Sequence, residues 1–496
     1  LIRVTDPEGG VTQFDYDVLG NQTRITNPNG YVQTSTYDVG GRLLSSLSPG
    51  GTLTVHQYDA RDNVIETTQS FADGSDARTV RYFYDAMDRQ VRIDDAEGFS
   101  SIIGYDAFGN QVETTLGLYL LNPGDAGYDA GKALLSAPQT NRFSYDAADR
   151  VLSFEDGEGN RTQHGYDGHG NRLTLTKSAN TEARQTVMSY DRAGRLIESI
   201  NPEGGITQNV YDDAGNRVLE RLLQSNVAGS EIWIERQFEY DRNAQVIAEI
   251  DPYGFRTEHA YDVMGNKTEV RSAAGSPDER TVRMEYDLNN NKTADVDAEG
   301  HRTEYAYDAM GNRIRVQDAL GRVARYYYDG ADRLISTLDP QGVINTFAFD
   351  SLGNQVEQRV YMTTYAGAVD DFVPPVPTPS AADRIITAQY DRNNRRTIAV
   401  ATDGSRTEFT YDGVGNLVRE LQFANTALPR ELLYAYDNNS RLVQFIDSDG
   451  TETTFTYDGA NNKTSERVFN ASDPNPLRIT EFEYDLNSRL IRQTFD

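Results

Sequence analysis

The sequence predicts an all-β protein: a continuous antiparallel meander of short hairpins, coiled into a spiral tube or shell. Three observations lead there. A Tyr-Asp dipeptide recurs along the whole chain of 496 residues, most often at a spacing of 21. The stretch between two recurrences reads as two short strands and two tight turns. The composition (30 Tyr, 41 Gly and a hydrophobic share of only 38%, spread evenly) suits a sheet with one apolar face better than a thick central core.

The repeat signature falls at Tyr16, Tyr37, Tyr58, Tyr84, Tyr105, Tyr145, Tyr166, Tyr190, Tyr211, Tyr240, Tyr261, Tyr286, Tyr307, Tyr328, Phe349, Tyr390, Tyr411, Tyr436, Tyr457 and Tyr484. The segment 195–216 shows what lies between. A strand runs from Arg195 to Ile200. Asn201-Pro202-Glu203-Gly204 then has the chemistry of a type I turn, with Asn bonding onward, Pro setting φ and Gly closing it. The second strand carries Thr207, Asn209 and Tyr211 on one face by the period of two, and Asp212 ends it. Ala214-Gly215-Asn216 makes the opposite turn, where Gly tolerates positive φ.

Register supports the strands. Two residues before the signature stand Phe14, His56, Ile103, His164, His259, Tyr305, Phe409 and Phe455, and Thr is frequent four before it. Gln13, Asp15, Glu258, Glu304 and Glu408 fall on the other face, so one face is aromatic and Thr-rich and the other polar. Two unit types alternate. One carries Asn five residues after the signature, as at Asn21, Asn110 and Asn216; the other mostly carries Arg, as at Arg42, Arg195 and Arg333. Spacing is 21 after every Arg-type unit and runs from 21 to 41 after the Asn type, so insertions fall on one edge of the ribbon.

The expected organisation is a single array over residues 1–496, an excerpt of a longer chain, because Leu1 and Asp496 stand at nearly the same point of the repeat. A shift of 244 to 249 residues superposes the first ten signatures on the second ten and brings the long insertions 114–142 and 357–387 together. This suggests a long period dividing 1–248 from 249–496. If that period were one coil, some twenty strands at ~4.8 Å would give a diameter near 30 Å, suited to an extended chain inside a tube.

The composition also excludes functions. A net charge of −29 repels a phosphate backbone, so nucleic acid is not an expected partner. With no cysteine, neither disulfides nor thiolate chemistry are available. No stretch approaches the length of an apolar membrane span.

The motif Tyr-Asp-x-x-Gly-Asn/Arg, with an Asp-Pro-x-Gly turn about eleven residues on, resembles the RHS or YD-repeat family, and the likeness covers the whole chain. That resemblance implies a spiral β-sheet of the kind that forms hollow cocoons around the toxic ends of bacterial toxins and the barrel of the teneurins. It implies a very large protein, secreted or on the cell surface. The sequence contains no core segment that closes a shell and no variable toxin domain, so self-cleavage maps to no residue here.

No residue is nominated as catalytic, no metal ligand set is proposed and no cofactor is expected. His56, His164 and His259 occupy a register where other copies have Phe or Tyr, which marks a packing slot. Asp295-Val296-Asp297-Ala298-Glu299-Gly300 and Asp447-Ser448-Asp449-Gly450 faintly suggest calcium but lack the bidentate Glu of a full loop. The better candidates are aromatics near the insertions: Tyr119, Tyr128, Trp233, Tyr361, Tyr365 and Phe372. They would either pack a loop onto the neighbouring coil or stack on sugars. The sequence thus supports a non-enzymatic scaffold, first as the wall of a tube or fibre, then as the wall of a toxin cocoon, and third as a glycan-binding adhesin. The corresponding partners are further repeats of the same chain, an enclosed polypeptide, or surface glycans.

Overall fold

The computed structural model describes residues 2–179, 182–227, 230–470 and 474–496. It contains 41 strands in one antiparallel sheet and one short helix, Ala130–Leu134. Among the described residues no helix is long and apolar enough to cross a membrane. Strands pair with their sequence neighbours, as a meander requires. Leu196–Ile200 pairs with Ile206–Tyr211 through Ile200 opposite Ile206, and the latter pairs with the strand beginning at Arg217.

Local chemistry accounts for both turns. In 201–205 the Asn201 Oδ1 accepts the backbone N–H of Glu203 at 3.0 Å and of Gly205 at 2.8 Å, while Gly204 sits at φ +78°. In 212–216 the Gly215 N–H donates to the Asp212 carbonyl and Gly215 takes φ +93°, as expected of that position. Glycine is not obligatory there, however. Asp88, Asp149, Ala244, Asn290, Asp332 and Ser488 hold the same place with φ between +57° and +66°.

One feature of the ladder is invisible to a strict period of two. Each Tyr-Asp hairpin with a printed register shifts by one residue at the signature aromatic. Val210 faces Leu219 but Tyr211 faces Arg217, leaving Val218 as a bulge. Tyr307 and Tyr328 repeat this, with Ile314 and Ile335 as the extra residues. A bulge at every second strand adds twist at a fixed place in each repeat.

The strands gather into two compact units, residues 1–97 with 257–407 and residues 98–256 with 408–496. Each unit therefore contains two stretches of ribbon far apart in sequence. In the first, Tyr327, Leu338, Ile344 and Tyr361 form a buried cluster with Ile335 and Tyr365 against it. In the second, Phe99, Met188 and Ala248 are buried. Most other strand residues are half-buried, so the sheet is held by cross-strand pairs more than by one core.

Within each unit the two stretches meet edge to edge. The turn after the first strand, Ile2–Thr5, faces the turn after the twenty-fourth, Arg280–Tyr286. The turn after the thirteenth, Val151–Glu155, faces the turn after the thirty-sixth, Arg430–Tyr436. The offset is 23 strands in both cases, not the twenty that a coil of about 245 residues would give. Topology explains the odd number. Successive turns of a meander alternate between edges, so turns on opposite edges are always an odd number of strands apart. The period of 244–249 residues spans an even number and relates turns on the same edge.

Candidate functional site at the turn edges

One edge of the ribbon carries the Tyr-Asp turns, and their signature residues form a repeating lattice. Asp191 shows the pattern. Its Oδ1 accepts the N–H of Ala193 at 2.9 Å and of Arg195 at 3.0 Å, and its Oδ2 accepts Arg195 Nε at 2.7 Å. These donors, led by the Arg195 backbone N–H, hold the Asp191 carboxyl below its usual range. Arg195 also donates to the Asp212 carbonyl at 3.2 Å and stacks 4.9 Å over the Tyr211 ring. Arg42, Arg150, Arg333 and Arg441 make the same carbonyl contact 17 residues on. They lie over Tyr58, Tyr166, Phe349 and Tyr457.

Asn-type turns complete the chain of contacts. Asn63, Asn110 and Asn312 donate Nδ2 to the side chains of Asp88, Asp149 and Asp332, each at 2.8–2.9 Å. Those acceptors are the positive-φ residues of the following Arg-type turns. The alternation of unit types therefore has a cause: Arg reaches a carbonyl of the next turn, and that turn's Asn reaches a side chain of the one after. Signature hydroxyls add a third link, since Tyr211 donates to the Leu196 carbonyl at 3.0 Å and Tyr457 to that of Leu442 at 2.9 Å.

The opposite edge carries the Asp/Asn-Pro-x-Gly turns and the insertions, and it meets a Tyr-Asp edge in each unit. In the first unit Glu8 accepts the N–H of Leu288 at 2.8 Å and Glu97 that of Arg392 at 2.7 Å. In the second, Glu158 accepts the N–H of Asn438 at 2.8 Å, and Glu203 accepts that of Leu486. Asn amides reinforce two of these contacts: Asn393 Nδ2 to Asp95 Oδ2 and Asn439 Nδ2 to Asp156 Oδ2, both 2.7 Å. Where a turn is lengthened, an arginine takes over. Arg78 pairs with Asp350 at 3.6 Å and bonds Asn394, while Arg184 bonds Asp458 and Ser488, both at 3.0 Å. Approach is close enough to need glycine at 157, where a Cβ would strike the Asn438 carbonyl.

The loop aromatics are mostly used internally. Tyr119 donates its hydroxyl to the Gly127 carbonyl, accepts the Asp129 N–H at 2.7 Å and packs beside Phe99 and Tyr128. Trp233 stands within the strand Ser230–Tyr240 rather than in a loop, with Arg221 4.5 Å over its ring. Tyr361 is buried, and the Tyr365 hydroxyl donates to the Ala368 carbonyl at 3.1 Å. Phe372 is 71% exposed at the rim of a recess of about 170 Å³ lined by Tyr31, Tyr326 and Asp371.

The insertions also differ in what they touch. The first meets the facing edge through Gly413 N–H to the Leu135 carbonyl at 2.8 Å. The second instead packs back on its own stretch. Tyr327 donates to the Asp370 carbonyl at 2.8 Å, Arg325 pairs with Asp371 at 2.6 Å and the Tyr365 N–H reaches the Gly342 carbonyl at 2.7 Å.

The histidines sit beside signature rings, His56 6.4 Å from Tyr58 and His164 6.3 Å from Tyr166, and burial lowers the pKa of His164. Among the described residues, Asp297, Glu299 and His301 bring three potential ligand atoms within 4.8 Å of one another, all exposed.

Comparison with known proteins agrees with this repeat. The RHS Repeat family model matches residues 1–32, 37–76, 145–183, 286–323, 307–346 and 436–472. A search of curated proteins finds no match. Among solved structures, the crystal structure of TcdB2-TccC3-TEV aligns with 96% of this chain at 15% identity and a TM-score of 0.65. That of TcdB2-TccC3-Cdc42 aligns with 98% at 14% identity and a TM-score of 0.62. The Photorhabdus luminescens Tc holotoxin pore aligns with 98% at 14% identity and a TM-score of 0.59. At that identity the likeness is one of fold. The chain spans 27%, 30% and 29% of those three chains.

Proposed function

This chain is an array of RHS repeats, and from that premise we propose that it is a non-catalytic structural scaffold: a wall segment of a cocoon-like β-shell that encloses another polypeptide, in a secreted or surface-displayed protein. The observation that carries this reading is the way the edges are closed. In each unit a row of acidic turns is bonded to a row of Tyr-Asp turns at the level of backbone N–H groups, as at Glu8–Leu288 and Glu158–Asn438. A wall without slits is what a container needs. An adhesin or an enzyme would gain nothing from it. The inward use of Tyr119, Tyr361 and Tyr365 argues in the same direction, since it leaves few aromatics for a sugar. Fold likeness to toxin-complex structures over 96% of the chain favours the cocoon over the tube that the length of the sequence period suggested.

The test is protease protection in the native polypeptide that contains this array. Treatment with proteinase K should leave an internal polypeptide intact until the shell is opened by denaturant, and electron microscopy should show an enclosed compartment. An open filament with no protected peptide would refute the cocoon and restore the tube.

A further inference from the structure

The four edge contacts described above follow a code that can be counted in the sequence. The chain contains five turns of the form x-Glu-Gly at the acidic edge, at Glu8, Glu97, Glu158, Glu203 and Glu299. It also contains five Tyr-Asp-x-Asn turns, ending at Asn243, Asn289, Asn393, Asn439 and Asn487. Four of each are matched: the Glu8, Glu97, Glu158 and Glu203 carboxylates accept the N–H of the residue just before Asn289, Asn393, Asn439 and Asn487. No other Tyr-Asp turn with a described contact to a glutamate of the acidic edge lacks that Asn. One turn of each kind is left over. The Asp297-Ala298-Glu299-Gly300 turn is exposed along its length, and so are Arg242 and Asn243.

We propose that these two leftover turns are a complementary docking pair, through which the Asp297–Gly300 turn takes the Asp241-Arg242-Asn243 turn of a second copy of this chain. The Glu299 carboxylate would accept the Arg242 N–H, at the 2.7–2.8 Å seen at Glu97 and Glu158. Asn243 Nδ2 would donate to Asp297 Oδ2, as Asn439 does to Asp156. Asp297 Oδ2 already accepts from His301, and Asp156 Oδ2 holds Asn160 in the same way while still receiving Asn439, so the carboxylate has room for both. The pairing is heterologous, one edge on the other, so it repeats from copy to copy and builds an open stack. The gathering of Asp297, Glu299 and His301 is then the geometry of a socket for peptide N–H groups, since the acidic turns at Glu97 and Glu158 hold a backbone donor.

The chain has no cysteine, which makes the test clean. Differently tagged Glu299→Cys and Asn243→Cys copies, mixed with a short bismaleimide, should give a covalent heterodimer. Glu299→Cys mixed with Phe108→Cys, on another Tyr-Asp turn, should not. Sedimentation of the unsubstituted chain at ~0.15 M salt, where repulsion between copies is screened beyond ~8 Å, should show weak self-association. Glu299→Gln or Asn243→Ala should weaken it about tenfold, with circular dichroism unchanged. A chain that stays monomeric up to roughly 100 µM, where small transient interfaces assemble, overturns the proposal. So does equal cross-linking to Phe108→Cys, or association that a chelator abolishes while Asn243→Ala leaves it intact.

Discussion

Arg441→Ala tests the lattice along the Tyr-Asp edge most directly. Arg441 pairs with Asp437 at 2.6 Å, donates to the Asp458 carbonyl at 3.1 Å and to Asn461 Oδ1 at 2.9 Å, and lies 4.8 Å over the Tyr457 ring. Its side chain is only 16% exposed and that of Asp437 11%. Hydrogen bonds to a charged donor are worth about 1.5–3 kcal/mol each and a partly shielded cation–π contact about 0.5–1 kcal/mol. These contributions share one side chain and do not add fully, so a loss of roughly 2–4 kcal/mol is expected. Arg489 makes the same pair with Asp485 at 2.6 Å, but it is 72% exposed and has no onward carbonyl contact among those described. Its replacement by Ala should cost little, because an exposed ion pair is screened by solvent. A repeat array does not unfold as one cooperative unit, so the readout should be local. Amide hydrogen exchange in strands Leu442–Ile446 and Glu452–Tyr457 should accelerate roughly 30-fold or more in Arg441→Ala. Exchange near Leu490 should barely change in Arg489→Ala. Equal effects at the two sites, or no local change at the first, would show that the Arg bridge to the next repeat carries no stability.

Tyr457→Phe removes the hydroxyl bond to the Leu442 carbonyl and should cost the same two strands about 1 kcal/mol by exchange. Gly215→Val should cost on the order of 1 kcal/mol at its own turn, because φ is +93° and the space around a Cβ is otherwise open to ordinary contact. Gly157→Val should instead open the contact at Asn438, read as faster exchange at 437–441 with little change at 191–195. Deleting residues 366–380 should loosen strands Val323–Tyr328 and Leu334–Leu338, because Asp370 and Asp371 hold Tyr327 and Arg325; unchanged exchange there would put the loop's role elsewhere. Acid should unfold the array below pH 4. Asp17, Asp191, Asp212 and Asp485 all titrate below the usual 3.8 when folded, so their contribution is full above that value and is lost as pH falls through the lower folded values. Circular dichroism between pH 5 and 8 should be flat, and a transition in that range would contradict the assignment.

What could be read from the sequence and what could not divide along the reach of each interaction. Strands, turns and the positive φ at Gly215 depend on residues within four or five positions, and composition and period two are enough to locate them. The alternation of Arg and Asn units was visible as a pattern, but its cause spans 17 to 39 residues, from Arg195 to Asp212 and from Asn110 to Asp149, and needs the strands laid side by side. The bulge at Val218 escaped because hydrophobic residues occupy that position whether or not it is paired. Hardest to foresee was the edge code, since Glu8 and Leu288 are 280 residues apart and Glu203 and Leu486 are 283 apart. The best repeat period in the sequence, near 245, compares turns on the same edge and so can never reveal which turns face each other. Only an odd strand offset does that. Once 23 is known, the Asn of Tyr-Asp-x-Asn stops looking like one more turn residue. It becomes the mark of a turn that sits against an acid, and Asn243 is the copy whose acid has still to be supplied.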